Sequence, residues 1–102
     1  MELLALGAIA RGGEMHGFEV VRWIDRTSGG DLLVEEGALY PALHRMEARG
    51  WLDSAWAISD RGRRAKYYSV TRRGERALAR ADQEWSRYVA AVGKVVRGKA
   101  TA

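Results

Sequence analysis

A mainly α-helical chain carrying one small β-hairpin, an α+β arrangement, is predicted by three features of the sequence. Apolar residues recur at helical spacing in segments punctuated by glycine. After Gly50 the pattern changes to alternation around a glycine-containing turn. The C-terminal part then carries apolar residues at alternating steps of three and four. The 102 residues suffice for one compact domain with a modest core and are too few for two ordinary domains. Hydrophobic residues make up 47% and charged residues 29%, which is the profile of a globular rather than a disordered chain.

Residues 2–11 are rich in Leu and Ala and stop at Gly12-Gly13, which reads as a short first helix. Residues 15–27 place Phe18, Val21 and Ile24 at steps of three, with Val20 and Trp23 widening the stripe, and end at Ser28-Gly29-Gly30. Residues 31–35 form a connector, with a small strand expected at 32–34. In the third helix Leu39, Ala42, Leu43 and Met46 fall at i, i+3, i+4 and i+7, the signature of one buried face. Proline lacks an N–H and its ring clashes with the preceding turn, so a helix tolerates it best in the first turn. Pro41 therefore places the start of the third helix between Gly37 and Tyr40, and Gly50 supplies its stop.

Residues 51–59 alternate, with Leu52, Ser54, Trp56 and Ile58 sharing one side of a strand. Asp60-Arg61-Gly62-Arg63 is a turn, and residues 65–70 return with Tyr67, Tyr68 and Val70, completing a hairpin. Thr71 is an N-cap for the last helix, its hydroxyl accepting from first-turn N–H groups. Leu78, Ala81, Trp85, Tyr88, Val92 and Val95 then form a heptad seam. The seam extends beyond the core the other elements need. Its simplest use is a second copy of the chain; the other use is folding back on its own core. Residues 97–102 are expected to fray. The expected division is a domain of three helices and a hairpin over 1–70 and a dimerisation helix with its tail over 71–102.

The chain has no cysteine, which excludes disulfides, Cys-based zinc sites and thiol nucleophiles and fits a reducing cytoplasm. The N-terminus lacks a basic leading segment and a long apolar run, so neither a signal peptide nor a membrane span is expected. Net charge is +4 and the pI is about 9.9. Between residues 61 and 80 the basic side chains are Arg61, Arg63, Arg64, Lys66, Arg72, Arg73, Arg76 and Arg80, with Glu75 the only acid. Such clustering points to a polyanionic partner, against the alternative of an ordinary solvated face. An enzyme is not expected. His16 and His44 lie in different helices, His16 at a helix start in a structural role, and no paired carboxylates or phosphate loop is recognisable. Neither a metal nor a cofactor is expected.

Three helices followed by a hairpin with a basic tip is the element order of a winged helix-turn-helix domain, whose third helix enters the major groove of DNA while the wing reaches the backbone or minor groove. In that arrangement Leu39, Leu43 and Met46 hold the third helix on the core, and Tyr40, Pro41, His44 and Arg45 face outward. The helix N-terminus suits a phosphate, and Gly37 allows close backbone approach. Arg45 has Glu47, Glu36 and Glu19 as alternative partners.

Met15-His16-Gly17-Phe18-Glu19-Val20, Glu36 through Leu43 with Leu39-Tyr40-Pro41-Ala42-Leu43 at its centre, Arg45-Met46-Glu47 and Gly50-Trp51-Leu52 carry a family resemblance. It continues through Gly62-Arg63-Arg64-Ala65-Lys66-Tyr67-Tyr68 and Val70-Thr71-Arg72-Arg73-Gly74. With these motifs, over nearly its whole length, the chain resembles the PadR-like transcriptional regulators, in the short-tailed branch with a single C-terminal helix. The resemblance implies a homodimer that binds a roughly palindromic operator, as a repressor released by a small molecule. It implies DNA reading by Tyr40, Pro41 and His44, with Arg45 near the backbone, and wing contacts from Arg63, Arg64 and Lys66; Gly37, by its close backbone approach, and Arg61, by its place in the basic wing, join the expected set. It also implies a dimer built from the last helix together with the first, to which Leu3 belongs. Two departures stand out. Ala38, in the same contact region, replaces the usual Ser or Thr, so one hydroxyl contact is missing. The chain also begins late relative to a family that commonly has another turn before Glu2, which bears on the first helix's share of the dimer.

Some short-tailed members bind flat aromatic or drug-like molecules between subunits, so Trp85 and Tyr88 on the seam are the candidate effector contacts, and Trp23 and Trp51 could help line a cavity. The same aromatics serve equally as interface or core residues without any ligand. Two other functional classes remain open: a winged-helix module that binds protein, and a small-molecule carrier that has lost DNA binding. The retained basic wing favours DNA.

Overall fold

The computed structural model describes residues 1–98. Helix α1 spans Glu2–Gly12 and buries Ala5, Leu6, Ala8 and Ile9. A two-residue strand β1, Met15–His16, leads into helix α2, Gly17–Thr27. His16 is the N-cap of α2. Its Nδ1 accepts from the Glu19 N–H at 3.3 Å, and the His16 N–H donates to Glu19 Oε1 at 3.1 Å, a reciprocal capping box. Helix α3 spans Glu36–Ala48, strands β2 and β3 span Leu52–Ile58 and Arg64–Val70, and helix α4 spans Arg72–Arg97. The strands form one antiparallel sheet in the order β1-β3-β2, with Leu52 opposite Val70, Ile58 opposite Arg64 and Met15 opposite Tyr68.

One core joins these elements. Leu39, Ala42, Leu43 and Met46 of α3 are fully buried, as their spacing requires, against Leu6, Val20, Ile24, Leu52 and Tyr68. Each large side chain taken out of water there contributes about 1.5–3 kcal/mol. The end of α3 is set by Gly50 at φ 77°, a left-handed position that costs a side chain but not a glycine. The Trp51 N–H donates to the Met46 carbonyl at 2.9 Å and the Gly50 N–H to the Glu47 carbonyl at 3.0 Å, closing that helix end. Thr71 caps α4 as expected, its hydroxyl accepting from the Gly74 N–H at 3.0 Å.

Several expectations are corrected. β1 has no counterpart in the sequence reading, because two residues are too few to display alternation. No strand forms at 32–34; Val34 is buried while Leu32 and Leu33 are exposed. α3 begins at Glu36 with Glu35 as N-cap, so Pro41 lies beyond the first turn. The carbonyl four residues back, that of Gly37, thereby loses its helical donor. Gly37 is exposed, so water can take that place. Phe18 is 47% exposed and does not join the α2 stripe, which is carried by Val20 and Ile24. Of the alternating residues on β2 only Leu52 is buried; Trp56 and Ile58 are 59% and 64% exposed, because the hairpin projects past the core beyond Ser54.

α4 has 26 residues, and at 1.5 Å per residue is about 39 Å long. Its first turns pack Ala77 and Leu78 on the core, and every residue from Asp82 to Val92 is exposed. Arg97 is its last residue and Gly98 its C-cap; the remainder of the expected frayed tail, 99–102, lies outside the described residues. Among the described residues, no helix is long and apolar enough to cross a membrane.

Candidate nucleic-acid interface

The burial of Leu39, Leu43 and Met46 turns the opposite face of α3 outward. Gly37, Ala38, Tyr40, Pro41, His44 and Arg45 are all exposed on it. Tyr40 is held rather than free. Its ring lies against the start of α2, where Gly17 leaves the space: a Cβ at Gly17 would stand 2.6 Å from Tyr40 Cε1. Partial burial, and secondarily the charge of Glu36, raise the Tyr40 phenol pKa further above neutral pH, where a phenol is already a hydrogen-bond donor.

The wing turn closes with the Ser59 N–H donating to the Arg63 carbonyl at 2.7 Å and the Gly62 N–H to the Ser59 carbonyl at 2.8 Å. This fixes Arg61, Arg63 and Arg64 at an exposed tip. None of the three is in an ion pair among the described residues. The Arg64 guanidinium lies over the Trp56 ring at 4.9 Å. Between the start of α2, the exposed face of α3 and the wing runs a cleft of about 650 Å³. Of the sequence-derived candidates, Tyr40, His44, Arg61, Arg63, Arg64 and Lys66 line it. Gly37, Ala38 and Pro41 lie outside it, exposed on the first two turns of α3.

Two candidates are already engaged. Arg45 Nε is 3.2 Å from Glu2 Oε2 on α1, and Arg49 Nη1 reaches the same oxygen at 3.2 Å. None of the acids weighed from the sequence is the partner, because the contact spans 43 residues and no local spacing could reveal it. Arg45 is half exposed and Glu2 has Arg49 as a second partner, so the Arg45 pair is worth only about 0.2–1 kcal/mol and yields readily to a stronger anion. Lys66 Nζ is 3.0 Å from Glu47 Oε1, and Ser54 donates to the other oxygen of that carboxylate. These hydrogen bonds, that of Ser54 first and that of Lys66 second, hold the Glu47 carboxyl below its ordinary pKa.

The cleft also contains residues the sequence reading missed: Phe18, Arg22 and Trp56. Arg22 lies 5.9 Å from the Phe18 ring centroid. The available signal was the i, i+4 spacing of Phe18 and Arg22, together with the absence of a core thick enough to reach Trp56. An anionic ligand entering this cleft would meet the aromatic rings of Phe18 and Trp56 and the guanidinium groups of Arg22, Arg61, Arg63 and Arg64, which outnumber the two carboxylates in its lining, Glu19 and Asp60.

On α4 the predicted seam divides. Leu78 and Ala81 are half-buried, as is Leu3 on α1, whereas Trp85, Tyr88, Val92 and Val95 are exposed. Val89 and Val96, exposed on the same side, widen the stripe. The Trp85 and Tyr88 ring centroids are 6.1 Å apart. A second cavity of about 770 Å³ lies between α1, α2 and α4, bordered by Leu3, Trp23 and Leu78. Trp85, Tyr88 and Trp51 do not border it; Trp51 lies under the Arg49 guanidinium at 5.1 Å. Among the described residues, no group of His, Asp or Glu side chains could hold a metal ion.

Comparisons with known proteins follow the same geometry. The family model of the transcriptional regulator PadR-like family matches residues 5–80. A transcriptional regulator from Clostridium thermocellum superposes with a TM-score of 0.83 at 23% identity, covering 94% of this chain and 92% of that one. A protein from Streptococcus mutans is 31% identical with a TM-score of 0.78, covering 95% of this chain and 86% of that one. A PadR family transcription regulator from Clostridium difficile is 28% identical with a TM-score of 0.72, covering 95% and 97%.

Proposed function

The chain belongs to the PadR-like family of transcriptional regulators, and from that premise we propose that it is a homodimeric, sequence-specific repressor whose operator binding is relieved by a small molecule. The observation that carries the DNA-facing part is the cleft in which Tyr40 and His44 of α3 face Arg61, Arg63 and Arg64 of the wing. Family members of this kind are DNA-binding regulators rather than enzymes.

In the proposed complex α3 enters the major groove. Tyr40 and His44 meet base edges there and carry the sequence information. Gly37, Ala38 and Pro41 lie where the α3 N-terminus approaches a phosphate, and its free N–H groups and partial positive charge favour that anion. Arg61, Arg63 and Arg64 neutralise backbone phosphates along the wing, with Trp56 and Phe18 against sugars. Arg45 exchanges Glu2 for a phosphate at small cost, since its guanidinium is half exposed and Glu2 keeps Arg49 as a partner.

The exposed stripe of Trp85, Tyr88, Val92 and Val95, with Val89 and Val96 beside it, supports pairing of α4 with a second copy, joined by Leu3, Leu78 and Ala81 nearer the core. A two-fold dimer requires a roughly palindromic operator, with half-sites about 10 bp or a multiple of that apart. An effector with a flat aromatic body would sit against Trp85 and Tyr88, and its entry would alter the spacing of the two α3 helices.

Titration of fluorescent random-sequence duplex DNA with the purified protein tests the electrostatic part. Affinity should fall steeply as salt rises, with a logarithmic slope of about −0.9 for each phosphate neutralised. Salt-insensitive binding, or none, would contradict the proposal.

A further inference from the structure

We propose that Glu47 is a positioning residue that locks the wing to α3, and that Lys66 is a strut in that lock rather than a phosphate contact; the inference rests on the DNA-binding reading above. The geometry is specific. One carboxylate oxygen of Glu47 accepts from Lys66 Nζ on β3 at 3.0 Å. The other accepts from Ser54 Oγ on β2 at 2.5 Å. A single side chain of α3 thus holds both strands of the hairpin. Among the described residues, no other side-chain hydrogen bond or ion pair joins the hairpin to α3.

The lock sits where it has leverage. Ser54 is opposite Tyr68, the buried end of the sheet, and Lys66 is opposite Trp56, the first residue of β2 that faces the cleft. Everything beyond, including Arg61, Arg63 and Arg64, projects from the core without another polar tie to α3. The distance between the groups that meet bases on α3 and those that meet phosphates on the wing is therefore set at this point. Specificity depends on that distance, because phosphate contacts fix the register in which bases are read.

The same geometry removes Lys66 from the phosphate-binding set. Its ammonium and the Glu47 carboxylate together carry no net charge. Moving the ammonium to a phosphate would leave the Glu47 carboxylate beside the DNA without its partner, a like-charge arrangement. Among the described residues, Arg61, Arg63 and Arg64 have no carboxylate to leave behind.

The test compares Glu47→Gln, Lys66→Met and Arg64→Ala with the wild-type dimer. Hydrogen exchange of the wing amides is measured without DNA, and the salt dependence of binding with it. Without DNA, Glu47→Gln and Lys66→Met should each speed exchange along β2 and β3 while leaving α1 and α3 protected. With DNA, Lys66→Met should leave the salt slope unchanged, whereas Arg64→Ala should reduce it by about 0.9. Glu47→Gln should lower the ratio of operator to random-sequence affinity about three- to tenfold, the scale of a partly exposed charged hydrogen bond. A Lys66→Met slope reduced as far as that of Arg64→Ala overturns the strut role. Unchanged wing exchange in both variants overturns the lock. Faster wing exchange in a protein that binds no DNA would uphold the lock and refute the DNA-binding reading alone.

Discussion

The Arg64 guanidinium lies 4.9 Å from the centre of the Trp56 ring, so the cation at the wing tip is shelved on an exposed indole. Stacking of this kind is worth about 0.5–1 kcal/mol at an exposed site and restricts where the guanidinium points. Arg64→Ala should weaken binding to all DNA sequences alike and reduce the salt slope by about one unit. Trp56→Ala should weaken binding by less and leave the slope intact, because it moves a charge without removing one. Anisotropy titrations at several salt concentrations separate the two.

Tyr40 sits against Gly17, in a space that any side chain at residue 17 would fill. Tyr40→Ala should lower affinity for the selected operator by roughly tenfold and for random duplex very little, since base contacts carry the discrimination. Gly17→Ala should reproduce part of that loss by displacing the ring. Equal losses on both DNAs would remove Tyr40 from base reading.

The Glu47 carboxyl is acidified by the Ser54 hydroxyl first and the Lys66 ammonium second. A carboxyl whose pKa folding lowers stabilises the folded chain above its unfolded pKa of about 4.3, and that share disappears as pH falls through the folded value. Thermal unfolding from about pH 6 to about pH 3 should therefore show Glu47→Gln less stable than wild type at the upper end, with the difference closing toward the lower. A constant difference across that range would assign the loss to packing instead of charge.

Trp85 and Tyr88 are more than half exposed on the part of α4 that leaves the core. Trp85→Ala should raise the dimer dissociation constant by roughly tenfold or more, as expected for a central aromatic at an interface. Folding of the winged-helix part should be unaffected. Sedimentation equilibrium at several concentrations measures the first and far-UV circular dichroism the second.

Local chemistry made much of this legible. The buried face of α3, the Gly50 stop, the Thr71 cap and the hairpin each depend on a few adjacent residues, and each is where its spacing placed it. Features that depend on distant partners were not legible. β1 exists only because Met15 and His16 meet β3, and Arg45 is held by a residue at the other end of the domain. Trp56 and Phe18 read as core because hydrophobicity and spacing say nothing about how far the core extends. Charge and motif place Lys66 among the DNA-facing residues, whereas its contact with Glu47 is visible only in the fold, because the sequence cannot say which of two anions a lysine faces. Pro41 showed the helix start only to within a turn, since an exposed carbonyl tolerates the missing donor.

In the proposed complex α3 and the wing read one DNA half-site per subunit of a two-fold dimer. Selection from a random-sequence duplex library by the purified protein, at low and at near-physiological salt, tests it most directly. Enrichment of a palindrome with half-sites about 10 bp or a multiple apart is expected, recovered less efficiently at the higher salt. Failure to enrich any sequence at either salt would contradict it.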